Sequence, residues 1–159
     1  MNQSDQNQTA RQNEYFDLHI SGLGYLNRFR SVPVRTGQGY FAVDIAMLEG
    51  SKDAPTTTRF DANVAGKEAV NVLEQVKEAI TDPNARVLAG VRLGGLYPEI
   101  FEYQNGDRRG EQGISLKTRL LRIDWVKVKT PGGSTYETVY TAPRPEANQE
   151  NRAVSQHAA

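Results

Sequence analysis

The sequence has no cysteine and only two histidines, His19 and His157. Disulfides, thiolate zinc sites and cysteine nucleophiles are therefore excluded, and little remains for a histidine-based metal site or acid–base pair. No metal or other cofactor is expected. Long apolar runs are missing too. The opening MNQSDQNQTARQN has no hydrophobic stretch of the kind a secretory signal carries, and nothing approaches membrane-spanning length. A reducing, cytoplasmic setting is the expectation. In that setting the glycosylation-like triplet Asn7-Gln8-Thr9 is read as chance. An excess of either charge is also lacking, since 19 basic residues balance 19 acidic ones.

What is present suits one domain. A chain of 159 residues, 38% hydrophobic, can bury a single modest core. The balanced charge is unevenly distributed. Between Asp17 and Asp44 the only charges are Arg28, Arg30 and Arg35. From Arg108 to Lys129, seven basic residues face only Glu111 and Asp124. A neutral protein can thus present a basic face to a phosphate chain. Plain solvated strand faces are the competing reading.

Residues 1–13 are Asn/Gln-rich and aperiodic, and read as a disordered tail. Residues 14–130 read as the folded domain, and 131–159 as a flexible tail with room for one short strand over Tyr136 to Tyr140. Within the domain, FDLHI puts Phe16, Leu18 and Ile20 on one face, after which Gly22 and Gly24 signal a bend. YFAVDIAML sets Phe41, Val43, Ile45 and Met47 against Tyr40, Ala42 and Asp44. EGSKDAPTTT reads as a loop. In the next strand Phe60, Ala62 and Val64 point inward, with Arg59, Asp61, Asn63 and Ala65 outward. The period then changes. Val72, Leu73, Val76, Ala79 and Ile80 share one face of a predicted helix from Lys67 to Ile80, stopped by Asp82-Pro83. Val87, Ala89, Val91 and Leu93 mark the fourth strand, with Gly94-Gly95 bending it. Asn105-Gly106 signals a hairpin. In the last strand Leu116, Thr118 and Leu120 oppose Lys117 and Arg119, and adjacent Leu120-Leu121 require a bulge or sharp bend.

Three strands, one helix and two strands, with glycine bends in the first and fourth, is the order of a five-stranded OB-fold barrel. Such barrels bind oligonucleotides on the strand 2–3 face and through the 1–2 and 4–5 loops. The fold class expected is mainly β, with the helix closing one end of the barrel.

Family likeness points the same way. FDANVAGKEAVNVLEQV, ISGLGYLNRFRSVPVRTGQGYFAVDIAM and ARVLAGVRL resemble bacterial single-stranded DNA-binding proteins over about residues 16–128. EYFDLH, SGLGYLNR, AGVRLGGLY and GEQGISLKTRLLRIDW are similar, in order and spacing, to replication proteins encoded on integrative and conjugative elements. The likeness implies single-stranded DNA as partner, a homo-oligomer (dimer or tetramer), and contact with replication or conjugation proteins. Counted from Gly90, it also implies a base-stacking role for Tyr97. Two features depart from the parent pattern. Arg59 and Ala65 stand where it has outward aromatic residues on strand 3, and the AVSQHAA end lacks an acidic, partner-recruiting tip.

A single-strand site needs aromatic faces for bases and cations for the backbone. Tyr40, Tyr97, Phe101, Tyr103, Tyr25 and Phe29 are the available stackers. Tyr40 and Tyr97 lead, whereas Phe101 and Phe29 are read as core, and Trp125 suits core and surface equally. The candidate cations are Arg28, Arg30, Arg35, Arg59, Arg92, Arg108, Arg109, Lys117 and Arg119. Catalysis is not expected. Gly22-Leu23-Gly24 lacks a dinucleotide fingerprint's third glycine, Gly50-Ser51-Lys52 lacks phosphate-loop spacing, and Asp44, Asp61, Glu99 and Glu102 are scattered. A protein-interaction module on the same barrel remains the alternative, because fold alone does not decide function.

Overall fold

The computed structural model describes residues 16–143. The expectations for residues 1–13 and for the chain beyond Pro143 lie outside the described residues. Six strands form one sheet: β1 (His19–Val32), β2 (Tyr40–Ser51), β3 (Ala54–Val64), β4 (Arg86–Glu102), β5 (Gln112–Lys129) and β6 (Glu137–Thr141). Two short helices, α1 (Lys67–Gln75) and α2 (Lys77–Thr81), connect β3 to β4. The protein is mainly β, as expected.

Pairing is antiparallel throughout except between β3 and β5. That parallel pair joins the two ends of the β3-β2-β1-β4-β5 run, so the hydrogen bonding closes on itself. β6 takes the later half of the β5 edge, opposite Trp125 to Val128, and forms the extra strand foreseen over Tyr136 to Tyr140. The folded chain therefore runs past Lys129 to Thr141.

The inward faces are those the alternation marks. Val43 and Ile45 of β2, Phe60 and Ala62 of β3, Ala89, Val91 and Leu93 of β4, and Leu120 of β5 are all buried. Leu73 of α1, fully buried, joins them in the same core.

Three local expectations need correction. The single helix is two. Val76 leaves helical geometry at φ −107°, ψ 10°, and its N–H reaches back to the Leu73 carbonyl at 3.2 Å. The break lets α1 pack on β5 while α2 turns to β1 and β4. The stretch read as a loop, EGSKDAPTTT, is mostly strand. β2 and β3 pair down to Ser51 opposite Ala54, with Thr56, Thr57 and Thr58 facing Glu49, Leu48 and Met47. Its residues other than the half-buried Thr58 are exposed on both faces, so no apolar alternation announces it. Finally, Phe16 and Leu18 precede β1 and are exposed, instead of sharing a buried face with Ile20.

Bulges set the faces. In β1, Arg28 adopts φ 51° between Asn27, which faces Asp44, and Arg30, which faces Ala42. The extra residue switches parity. Leu26 points inward before the bulge and Phe29 packs on the core after it, which sends Arg30 outward. In β5 the slip foreseen near Leu121 is a bulge: Arg92 faces Arg122 while Leu93 faces Leu120.

Candidate nucleic-acid interface

The cross-strand registers place one residue from each of five strands in a row. Asn27 of β1 faces Asp44 of β2, Asp44 faces Asp61 of β3, Asp61 faces Lys117 of β5, and Lys117 faces Tyr97 of β4. Because directly paired residues share a sheet face, this row runs across the outer surface. The far half of β4 and the start of β5 continue beyond it as a two-stranded arm. Between arm and sheet lies a groove of about 320 Å³, lined by Arg28, Asp44, Arg59, Asp61, Phe101, Tyr103, Ile114, Ser115 and Leu116.

Asp44 organises the floor. Its residue is only 3% exposed, although it carries a carboxylate in an otherwise apolar strand. Burial of such a charge requires pairing, and three guanidinium groups supply it. Arg28 Nε and Arg59 Nη2 approach Asp44 Oδ2 at 3.1 and 2.9 Å, and Arg30 Nη1 approaches Oδ1 at 3.1 Å. Arg30 Nη2 also donates to Asp61 Oδ1 at 3.0 Å, bridging the two carboxylates. Lys117 donates to the second Asp61 oxygen and lies 3.9 Å from Glu99.

Roles divide accordingly. Arg30, with both terminal nitrogens engaged and a further bond to the Arg28 carbonyl, is a brace. Arg28 and Arg59 keep free N–H groups and side chains 63% and 68% exposed.

Burial pushes the Asp61 carboxyl up, but the hydrogen bond and charge of Lys117, with Arg30, outweigh it and hold the group below its ordinary 3.8. The hydrogen bond to Asp61 holds the Lys117 ammonium above its ordinary 10.5, against the effect of burial. Asp61 therefore contributes stability that is complete above about pH 4 and lost as pH falls through its lowered value. Lys117 contributes stability that is complete below about pH 10 and lost as pH rises through its raised value. Lys117→Met should weaken both dependences. Urea midpoints measured across pH should then fall less steeply below pH 4 and above pH 10 than in the unmodified protein. Superimposable profiles would contradict the pairing.

The arm supplies the wall. Phe101 meets Tyr103 edge-on at 4.9 Å between ring centroids. Gly113 faces Phe101 across the arm, where a Cβ would come within 2.6 Å of the ring. Arg108 caps Tyr103 at 4.5 Å from its centroid and pairs with Glu111 at 3.0 Å. Phe101 was expected in the core. It is 38% exposed, because the arm carries it beyond the closed part of the sheet. Phe29 does pack on the core, stacking with Phe41 at 5.5 Å.

The fold thus gathers Arg28, Arg30, Arg59 and Lys117 at one groove. Tyr97 pairs with Lys117 across β4 and β5 and is 54% exposed, and Tyr40, 40% exposed, stands at the start of β2; neither lines the groove. Arg119 is exposed one outward step along β5, opposite Asn63 and Gly94. Four candidates are not brought to the groove. Arg35 is in the β1–β2 loop, Arg92 faces Ser21 and Arg122, Arg108 is turned onto Tyr103, and Arg109 sits exposed in the turn at the arm's tip. Sequence reasoning missed the hub role of Asp44. Its signal was a lone carboxylate at the centre of an apolar strand, YFAVDIAM.

Among the described residues no group of three or more histidine or carboxylate side chains converges in a metal-holding arrangement, and no helix is long and apolar enough to cross a membrane. The surface is a cation-and-carboxylate floor beneath an aromatic wall on a six-stranded sheet. The chain belongs to the family described as "Protein of unknown function (DUF3577)", whose model matches residues 9–147. No curated protein and no solved structure matches it.

Proposed function

We propose that the closed circuit of β1 to β5 is an OB-fold barrel, and that the chain is a non-catalytic, cytoplasmic single-stranded DNA-binding protein. The circuit β1-β2-β3-β5-β4 supports the barrel. The observation that carries the function is the groove's location. It lies on the β2–β3 face beneath the β4–β5 arm, the surface through which OB-folds take oligonucleotides. It offers rings on which bases can stack, with the exposed guanidinium groups of Arg28 and Arg59 beside them. Service in replication or transfer of an integrative and conjugative element, and assembly as a dimer or tetramer, follow from the sequence likeness.

A second reading, a protein-interaction module, is favoured by one observation. The groove's cations are already paired with Asp44 and Asp61. Anisotropy of a labelled oligo-dT of about thirty nucleotides, with a duplex of equal length as competitor, separates the two. Binding that duplex does not displace is the expected result. No binding at micromolar protein and low salt would overturn the single-strand reading in favour of an assembly role.

A further inference from the structure

We propose that Asp44 and Asp61 neutralise the floor of the groove, so that it takes unpaired nucleobases and leaves the phosphates outside. The inference rests on the single-strand reading and deepens it by naming which part of the strand enters. Four cations converge there, Arg28, Arg30, Arg59 and Lys117, and three carboxylates, Asp44, Asp61 and Glu99, oppose them. A groove built for phosphates would leave its cations unpaired to exchange with counterions. Here the exchange has already happened inside the protein.

What the floor still offers is directional. Arg28 meets Asp44 through Nε, leaving both terminal nitrogens, and Arg59 meets it through Nη2, leaving its other nitrogens. Guanidinium N–H groups of this kind bond the carbonyl and ring-nitrogen acceptors of base edges. Phe101 and Tyr103 stand over the same space with rings that can stack a base. Floor and wall are therefore complementary to an unstacked base: acceptors down, π-face to the wall. A duplex, whose bases are stacked and paired, cannot enter.

The consequence is a weak salt dependence. For single strands log K falls against log salt with a slope of about −0.7 per phosphate neutralised, so four free cations would give about −3 and one net charge about −0.7. We expect oligo-dT to bind with a slope near −1, and an oligonucleotide of equal length carrying abasic sites to bind about 100-fold more weakly. Asp44→Asn, which keeps the shape and removes one negative charge, should steepen the slope by about 0.7 and raise affinity at low salt. The abasic comparison uses the unmodified protein, so it decides the matter even if the variant fails to fold. Binding of dT with a slope of −3 or steeper, indifferent to loss of the bases, overturns this inference and leaves the single-strand reading standing. No binding of dT at low salt overturns both.

Discussion

Gly24→Val is expected to destabilise the protein by about 3 kcal/mol or more, at the upper end of what overpacking costs. Gly24 lies in β1 between Met47 of β2 and Ala89 of β4, so the strand is held on both edges. A Cβ there would sit 2.6 Å from the Ala46 carbonyl oxygen and 2.9 Å from the Met47 Cα. Both are backbone atoms and cannot rotate away. β1 would have to leave β2, and the circuit of pairing would open where β1 crosses from β4 to β2. Against a total stability of about 5–15 kcal/mol this is a large fraction. Urea denaturation measures it directly, and an unchanged midpoint would mean that β1 does not approach β2 this closely at Gly24.

The second large effect concerns binding. Replacing Phe101 and Tyr103 together by alanine should weaken single-strand binding about 100-fold, at roughly 1–3 kcal/mol for each stacked base. The fold should hardly notice. Phe101 is 38% exposed and both rings lie on the arm, outside the buried core. Thermal unfolding should therefore stay within a few degrees of the unmodified protein while affinity collapses. Tyr40→Ala and Tyr97→Ala, outside the groove lining, should each cost less than the pair on the wall. Equal affinity for the double variant would remove the wall from the site.

Both predictions depend on features that were unequally legible in the sequence. Strands whose two faces differ announced themselves: Val43, Ile45 and Met47, then Phe60 and Ala62, then Val87 to Leu93 alternate and are buried as the pattern requires. An irregularity near Leu121, a bulge or a sharp bend, was legible because two adjacent leucines cannot both face one core, and only the register shows it to be a bulge. The break at Val76 was not, since Val72, Leu73, Val76 and Ile80 keep a continuous helical stripe across it. Nor was the Arg28 bulge. Its only trace was a parity change from Leu26 to Phe29, obscured by the glycines before it.

The site was legible in parts and not in assembly. Local charge balance singled out Arg28, Arg30 and Lys117 as members of basic stretches, and Arg59 was a candidate by its place on the third strand. Nothing local tied them to Asp44 and Asp61, because those pairings cross 14 to 56 residues of chain and depend on register. Phe101 was misjudged for a related reason. A ring in a strand is usually core, but β4 and β5 run past the closed part of the sheet, and only the three-dimensional length of the arm reveals that.

The most direct measurement is the set of backbone amide shifts of isotopically labelled protein on adding oligo-dT. The account predicts changes concentrated at Asn27, Asp44, Asp61 and Lys117 across the sheet, and at Tyr97, Phe101 and Tyr103 on the arm. Changes confined to α1 and the β6 side of β5, or none at saturating oligonucleotide, would contradict it.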